Sequence, residues 1–154
     1  MSMEISKWYG RFEAVADYLR SPLLLVLRVY WGWQFAQTGW GKLMNLERTA
    51  EFFGGLGIPL PKVNAFMAGG VECVGGALLV IGLASRLVSV PLAGTMVVAY
   101  VTADNEALRA IFNEPEKFTS AAPFMFLLVA VMVLAFGPGA FSLDRVLINK
   151  TETK

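Results

Sequence analysis

The sequence has no histidine, one cysteine and few charges, with Asp, Glu, Lys and Arg making up 16% of its 154 residues. Without histidine there is no His-ligated haem, no His-rich zinc site and no imidazole acid–base catalysis. Cys73 alone forms no internal disulfide and no CxxC relay. The scarcity of charge also argues against a soluble domain, in which about a quarter of positions would be charged. A net charge of +1 provides no basic field for nucleic acid and no acidic tail for a basic partner.

What the chain has instead is apolar surface: 56% of residues are hydrophobic. Four apolar runs stand out, at about 22–40, 64–83, 87–103 and 121–136, each long enough to cross a bilayer with little tilt. Residues 1–20 carry six charges and no continuous apolar core, so they predict no cleavable signal peptide. There Trp8, Phe12, Val15, Ala16 and Leu19 recur at helical spacing, which predicts an amphipathic helix over about 4–20, lying along the headgroups. The expected fold is all-α: one integral membrane four-helix bundle spanning residues 1–154, with a short N-terminal interfacial helix.

Counting Lys and Arg by side favours both termini in the cytoplasm, with Lys7, Arg11, Arg20, Arg86, Arg145, Lys150 and Lys154 facing inward. The expected location is the plasma (inner) membrane, multi-pass. Between the first two runs, Glu47–Phe53 reads as a helical turn ended by glycines. Phe52, Phe53, Leu56 and Ile58 are expected to cover the outer mouth of the bundle. The 104–120 connection reads as a solvated loop with a short helix before Pro115.

Two charges stand inside the runs. Glu72 lies near the middle of the second, and a lone carboxylate there costs about 2.5–3.5 kcal/mol unless paired, protonated or functional. Arg28 lies low in the first run, a vertical gap of ~7 Å from Glu72 on ideal helices, so a buried Arg28–Glu72 pair is expected. Within about sixty degrees of Glu72 stand Ala68, Gly69, Gly75 and Gly76, all small. They suit either tight helix packing or the floor of a pocket. Trp31, Gln34, Thr38 and Lys42 fall within a ~120° arc rising from Arg28, a stripe that offers interhelical hydrogen bonds or a ligand-lined cleft. Cys73 reads as a small buried hydrophobe, and Thr95 and Tyr100 as donors toward the interior.

Several stretches together resemble the DoxX family of four-helix bacterial membrane proteins. They are Leu27-Arg28-Val29, Gly41-Lys42-Leu43, the run Glu51 to Pro61, Gly69 to Leu83 with Glu72 and Gly75-Gly76, Ser85-Arg86, and Gly137 to Asp144. Arg28, Lys42, Glu72, Arg86 and Asp144 match charged positions of the family pattern. The resemblance implies a membrane partner for redox systems, some members being linked with thiosulfate:quinone oxidoreduction and others with quinone or catechol stress. Relatives with cysteine pairs or a histidine near the third span differ from this chain, which reads Ala99-Tyr100-Val101-Thr102-Ala103-Asp104 there, so thiol and histidine mechanisms do not transfer.

The resulting expectation is a membrane subunit that binds a small apolar redox molecule such as a quinone for a partner redox protein. The candidate ligand residues are Arg28, Trp31, Gln34, Thr38, Glu72, Gly69, Gly75 and Gly76, and the structural charges are Lys42, Arg86 and Asp144. No metal site, no intrinsic cofactor and no self-contained catalytic motif are expected; the partners are the bilayer and a redox protein or a second copy. A small-solute permeation protein and a non-catalytic membrane scaffold are the alternatives. Quinones co-purifying with the protein separate the first reading from the last.

Overall fold

The computed structural model describes the backbone of residues 2–152, and the side chains of residues 8–147 apart from Gly10 and Ala14. Lys7, Lys150 and Lys154, counted above for orientation, lie outside the described side chains. All the described regular structure is helical: α1 Ser2–Met44, α2 Leu46–Gly55, α3 Pro61–Ile81, α4 Ser85–Thr102, α5 Asn105–Arg109, α6 Pro115–Ser120, α7 Pro123–Phe136 and α8 Leu143–Glu152.

Proline and glycine set the boundaries. Pro61 and Pro123 open α3 and α7 in the first turn, where a missing N–H costs nothing. Gly82 ends α3 in the left-handed region (φ 73°), and its N–H and that of Leu83 both return to the Leu78 carbonyl. Pro22 does not act as a boundary. α1 runs through it without interruption for 43 residues, ~64 Å at the usual rise, about twice a bilayer core. The expected separate interfacial helix over 4–20 is therefore corrected: that segment is the first half of α1, with Trp8, Phe12 and Leu19 exposed. The 64–83 run begins three residues earlier as α3, and the 104–120 loop holds two short helices, α5 and α6.

α1, α3, α4 and α7 pack in a ring, α1 on α3, α3 on α4, α4 on α7 and α7 back on α1. Their shared core is Phe35, Leu79, Leu92, Met96, Val129, Ala130 and Val133. Phe126 closes it edge-on against Trp31 (5.0 Å) and Phe35 (4.6 Å). Tyr100 is buried at the far end of α4, where it stacks on Phe118 and donates to the Phe118 carbonyl at 2.8 Å, which holds α6 to the bundle. Thr95 bonds within its own helix, to the Leu92 carbonyl. α3 and α4 are each long and apolar enough to cross a membrane, while α7 is apolar but only 14 residues long.

Two glycine pairs fix how α1 and α3 meet. A Cβ on Gly32 would stand 3.0 Å from the Gly76 carbonyl oxygen, and one on Gly39 2.6 Å from that of Gly69. The helices run antiparallel with backbones almost touching, an approach that only glycine permits.

Candidate functional site

The antiparallel register decides where the buried charges go. Every Cα–Cβ bond in a helix tilts toward that helix's own N-terminus. On α3 the Glu72 side chain therefore leans toward Pro61, and on α1 the Lys42 side chain leans back into the bundle. The two converge across the close contact of α1 with α3. Lys42 Nζ donates to both Glu72 carboxylate oxygens at 2.5 Å, and Thr38 Oγ1 lies 3.3 Å from Oε2. Glu72 is 2% exposed and Lys42 30%.

The expected Arg28–Glu72 pair does not form, and the same tilt explains why. Arg28 leans toward the N-terminal part of α1, away from Glu72. Its Nη1 donates to the Pro138 carbonyl at 2.5 Å and its Nη2 to that of Phe141 at 2.6 Å, gripping the loop between α7 and α8. That loop continues the arrangement: Asp144 accepts the N–H groups of Ala84 (2.7 Å) and Ser85 (2.9 Å), capping the first turn of α4 from outside the helix. Ala84 holds a left-handed backbone (φ 50°), a strained geometry for a residue with a Cβ, which these bonds help to maintain. Arg86 reaches the Ala135 carbonyl at 3.3 Å.

The glycine face beside Glu72 is also closed. Gly69 meets Leu43 and Gly39, Gly76 meets Gly32 and Ala36, and Gly75 meets Leu92. No ligand floor is left there; the small residues admit neighbouring helices. Trp31 is committed to ring contacts with Tyr30 and Phe126. Of the residues expected around a ligand, the structure brings Thr38 to Glu72 and leaves Arg28, Trp31, Gln34, Gly69, Gly75 and Gly76 outside the cavity described next.

That cavity, of about 390 Å³, lies on the other side of Glu72, between α3 and α4 and beneath α2. Phe52, Phe53, Leu56 and Ile58 roof it, as the sequence suggests for the outer mouth, while Met67, Val71, Pro91 and Met96 contribute to its walls. Its polar groups are few: the Lys42–Glu72 pair, Asn64, Thr95 and Thr102. Pro91 and Gly94 on α4 leave room, and a Cβ on Gly94 would meet nothing within 4 Å. An apolar chamber with one charged, hydrogen-bonding pole suits a flat, mostly apolar molecule with a polar edge. The described residues hold no cluster of metal-ligating side chains.

Fold and site together define a helical protein with membrane-competent helices and a charged pair set into an apolar chamber. The DoxX family model matches residues 23–105, and the chain belongs to the DoxX family of membrane proteins. It is 33% identical over 120 residues to the Bacillus subtilis (strain 168) protein named "Putative oxidoreductase CatD", covering 78% of this chain and 83% of the relative. It is 34% identical to an uncharacterized membrane protein of Mycobacterium tuberculosis, covering 80% of each chain. With the inner membrane protein YphA of Escherichia coli (strain K12) it shares 30% identity over 82% of this chain and 91% of the relative. No solved structure matches.

Proposed function

We propose that the protein is a four-span inner-membrane subunit that binds a quinone-like molecule in the Lys42–Glu72 chamber for a partner redox protein. The spans are the second half of α1, then α3, α4 and α7, with α7 crossing as a short helix and both termini cytoplasmic. The observation that carries this reading is the placement of an ion pair, its carboxylate buried and its ammonium partly exposed, at the edge of an apolar cavity about 390 Å³ in volume. Ligand sites for small molecules fall in roughly the 300–1,000 Å³ range and combine apolar walls with a few convergent polar groups. A pair serving packing alone needs no chamber beside it.

The chemistry follows from the residues. A quinone ring would lie between Met67, Val71 and Met96, with one carbonyl accepting from Lys42, whose ammonium carries more donors than Glu72 uses. In this reading Glu72 holds Lys42 in position to meet the ligand carbonyl. In this reading the electrons come from the partner redox protein. The oxidoreductase in the name of the Bacillus subtilis relative points the same way.

The test is extraction in mild detergent followed by mass spectrometry of bound lipids and quinones, then titration of stripped protein with a short-chain naphthoquinone. Saturable uptake of one molecule per chain, reduced at least tenfold by Lys42→Ala, supports the reading. Absence of any retained or titratable apolar molecule leaves the pair as a purely structural device and refutes it.

A further inference from the structure

A second crevice opens at the Arg28 end of the bundle, remote from the Lys42 chamber. The start of α8, the first turn of α4, the 137–142 loop and α1 around Arg20 enclose a cavity of about 890 Å³. Three arginines border it from three helices: Arg20 from α1, Arg86 from α4 and Arg145 from α8. Arg20 donates to the Phe136 carbonyl at 2.9 Å and lies over the Phe136 ring, and Arg86 donates to Ala135. Each neutralises the carbonyl end of α7 with one of the five N–H groups a guanidinium carries, so donors remain for a ligand. Two carboxylates share the rim. Asp144 is committed to the Ala84 and Ser85 N–H groups and faces the charge of Arg28, while Asp17 stands one turn before Arg20 on α1. Arginine outweighs acid here.

The polar cavity does not end in solvent on every side. Asp17, Arg20 and Phe136 also border a second space of about 410 Å³, a groove between α1 and α7 walled by Leu19, Leu23, Leu24 and Met132. The groove follows α1 for ~12 Å, about the length of the upper half of an acyl chain. Leu87 and Phe136, both exposed, stand at the same level and give the rim an apolar outer edge. A basic pocket that opens into an apolar groove matches an amphiphile with an anionic head, and a free anion would leave the groove without a purpose.

We propose that this composite crevice is a binding site for an anionic phospholipid, its phosphodiester held by Arg20, Arg86 and Arg145 and one acyl chain lying against Leu23 and Met132. Guanidinium forks suit phosphate oxygens, and arginines from three helices meeting one headgroup would tie α1, α4 and α8 together. The site is separate from the Lys42 chamber and stands or falls without it.

The experiment uses delipidated full-length protein in detergent, titrated with phosphatidylglycerol, phosphatidylcholine and glycerol phosphate, with native mass spectrometry as the readout. Phosphatidylglycerol is expected to bind at least about tenfold tighter than phosphatidylcholine. Arg145→Gln alters an exposed side chain and is expected to remove most of that preference; Arg86→Gln should act likewise. Met132→Trp fills the groove and is expected to weaken both lipids several-fold with the thermal midpoint unchanged. Equal affinity for the two lipids, or a preference that survives Arg145→Gln, overturns the proposal. So does glycerol phosphate competing on a par with the lipid while Met132→Trp has no effect, which would make this a site for soluble anions.

Discussion

Lys42 and Glu72 meet because their helices run in opposite directions and each side chain leans toward its own N-terminus. Arg28 shares a helix with Lys42 and leans the same way, which carries it to the Pro138 and Phe141 carbonyls instead. One helix thus sends one cation to the chamber and another to the loop at the opposite end.

The pair should therefore behave as a unit. Lys42→Ala or Glu72→Ala alone leaves a buried charge uncompensated and is expected to cost about 3 kcal/mol, the low end for buried pairs because Lys42 keeps some access to solvent. Combined, they should cost less than the two losses added, with a coupling of about 1–3 kcal/mol in a double-mutant cycle. Arg28→Ala and Glu72→Ala should add simply. Strong coupling between Arg28 and Glu72 in detergent unfolding would contradict the geometry.

The glycine contacts predict sharp position dependence. A methyl group at Gly39 has no place against the Cys73 backbone, so Gly39→Ala should force α1 and α3 apart and lower the thermal midpoint markedly. Gly70, on the same helix as Gly69, has open space around it, and Gly70→Ala should be neutral or stabilising by up to about 1 kcal/mol. Similar losses at Gly39 and Gly70 would mean that the helices meet on another face.

Much of this was legible in the chain. Apolar runs of bilayer length marked the packed helices, and Phe52, Phe53, Leu56 and Ile58 pointed to a cover over one end. The partners of the charges are misread from height alone; the signal that pairs Glu72 with Lys42 is the N-terminal lean of side chains on two antiparallel helices. Arg28 and Glu72 look close by height and lean apart. The continuity of α1 was hidden by Pro22 and the charges before it, which read as a boundary. The role of the small residues did have a signal: Gly32 and Gly39 repeat the spacing of Gly69 and Gly76, and matched spacing on two helices marks a close crossing.

The loop at the Arg28 end should open before the rest. Arg28→Ala removes the donors for two part-buried carbonyls, at a cost of about 1 kcal/mol for each hydrogen bond lost. Asp144→Ala removes the cap of α4 at about 1–2 kcal/mol. In hydrogen exchange, both variants should speed residues 137–144 and the first turn of α4, while α2 stays as protected as before. Faster exchange across α2 and α3 instead would show that Arg28 supports the whole bundle and not this loop.

The central claim is that the chamber beside Lys42 and Glu72 takes a flat apolar ligand, and Gly94→Leu tests it most directly. Gly94 lines the chamber with nothing near its missing side chain, so leucine should fill the ligand space without displacing a helix or touching the ion pair. Naphthoquinone titration of wild-type protein should saturate at one molecule per chain, and Gly94→Leu should weaken it at least tenfold with an unchanged thermal midpoint. Unaltered quinone binding in Gly94→Leu, or no binding by the wild type, would contradict the account.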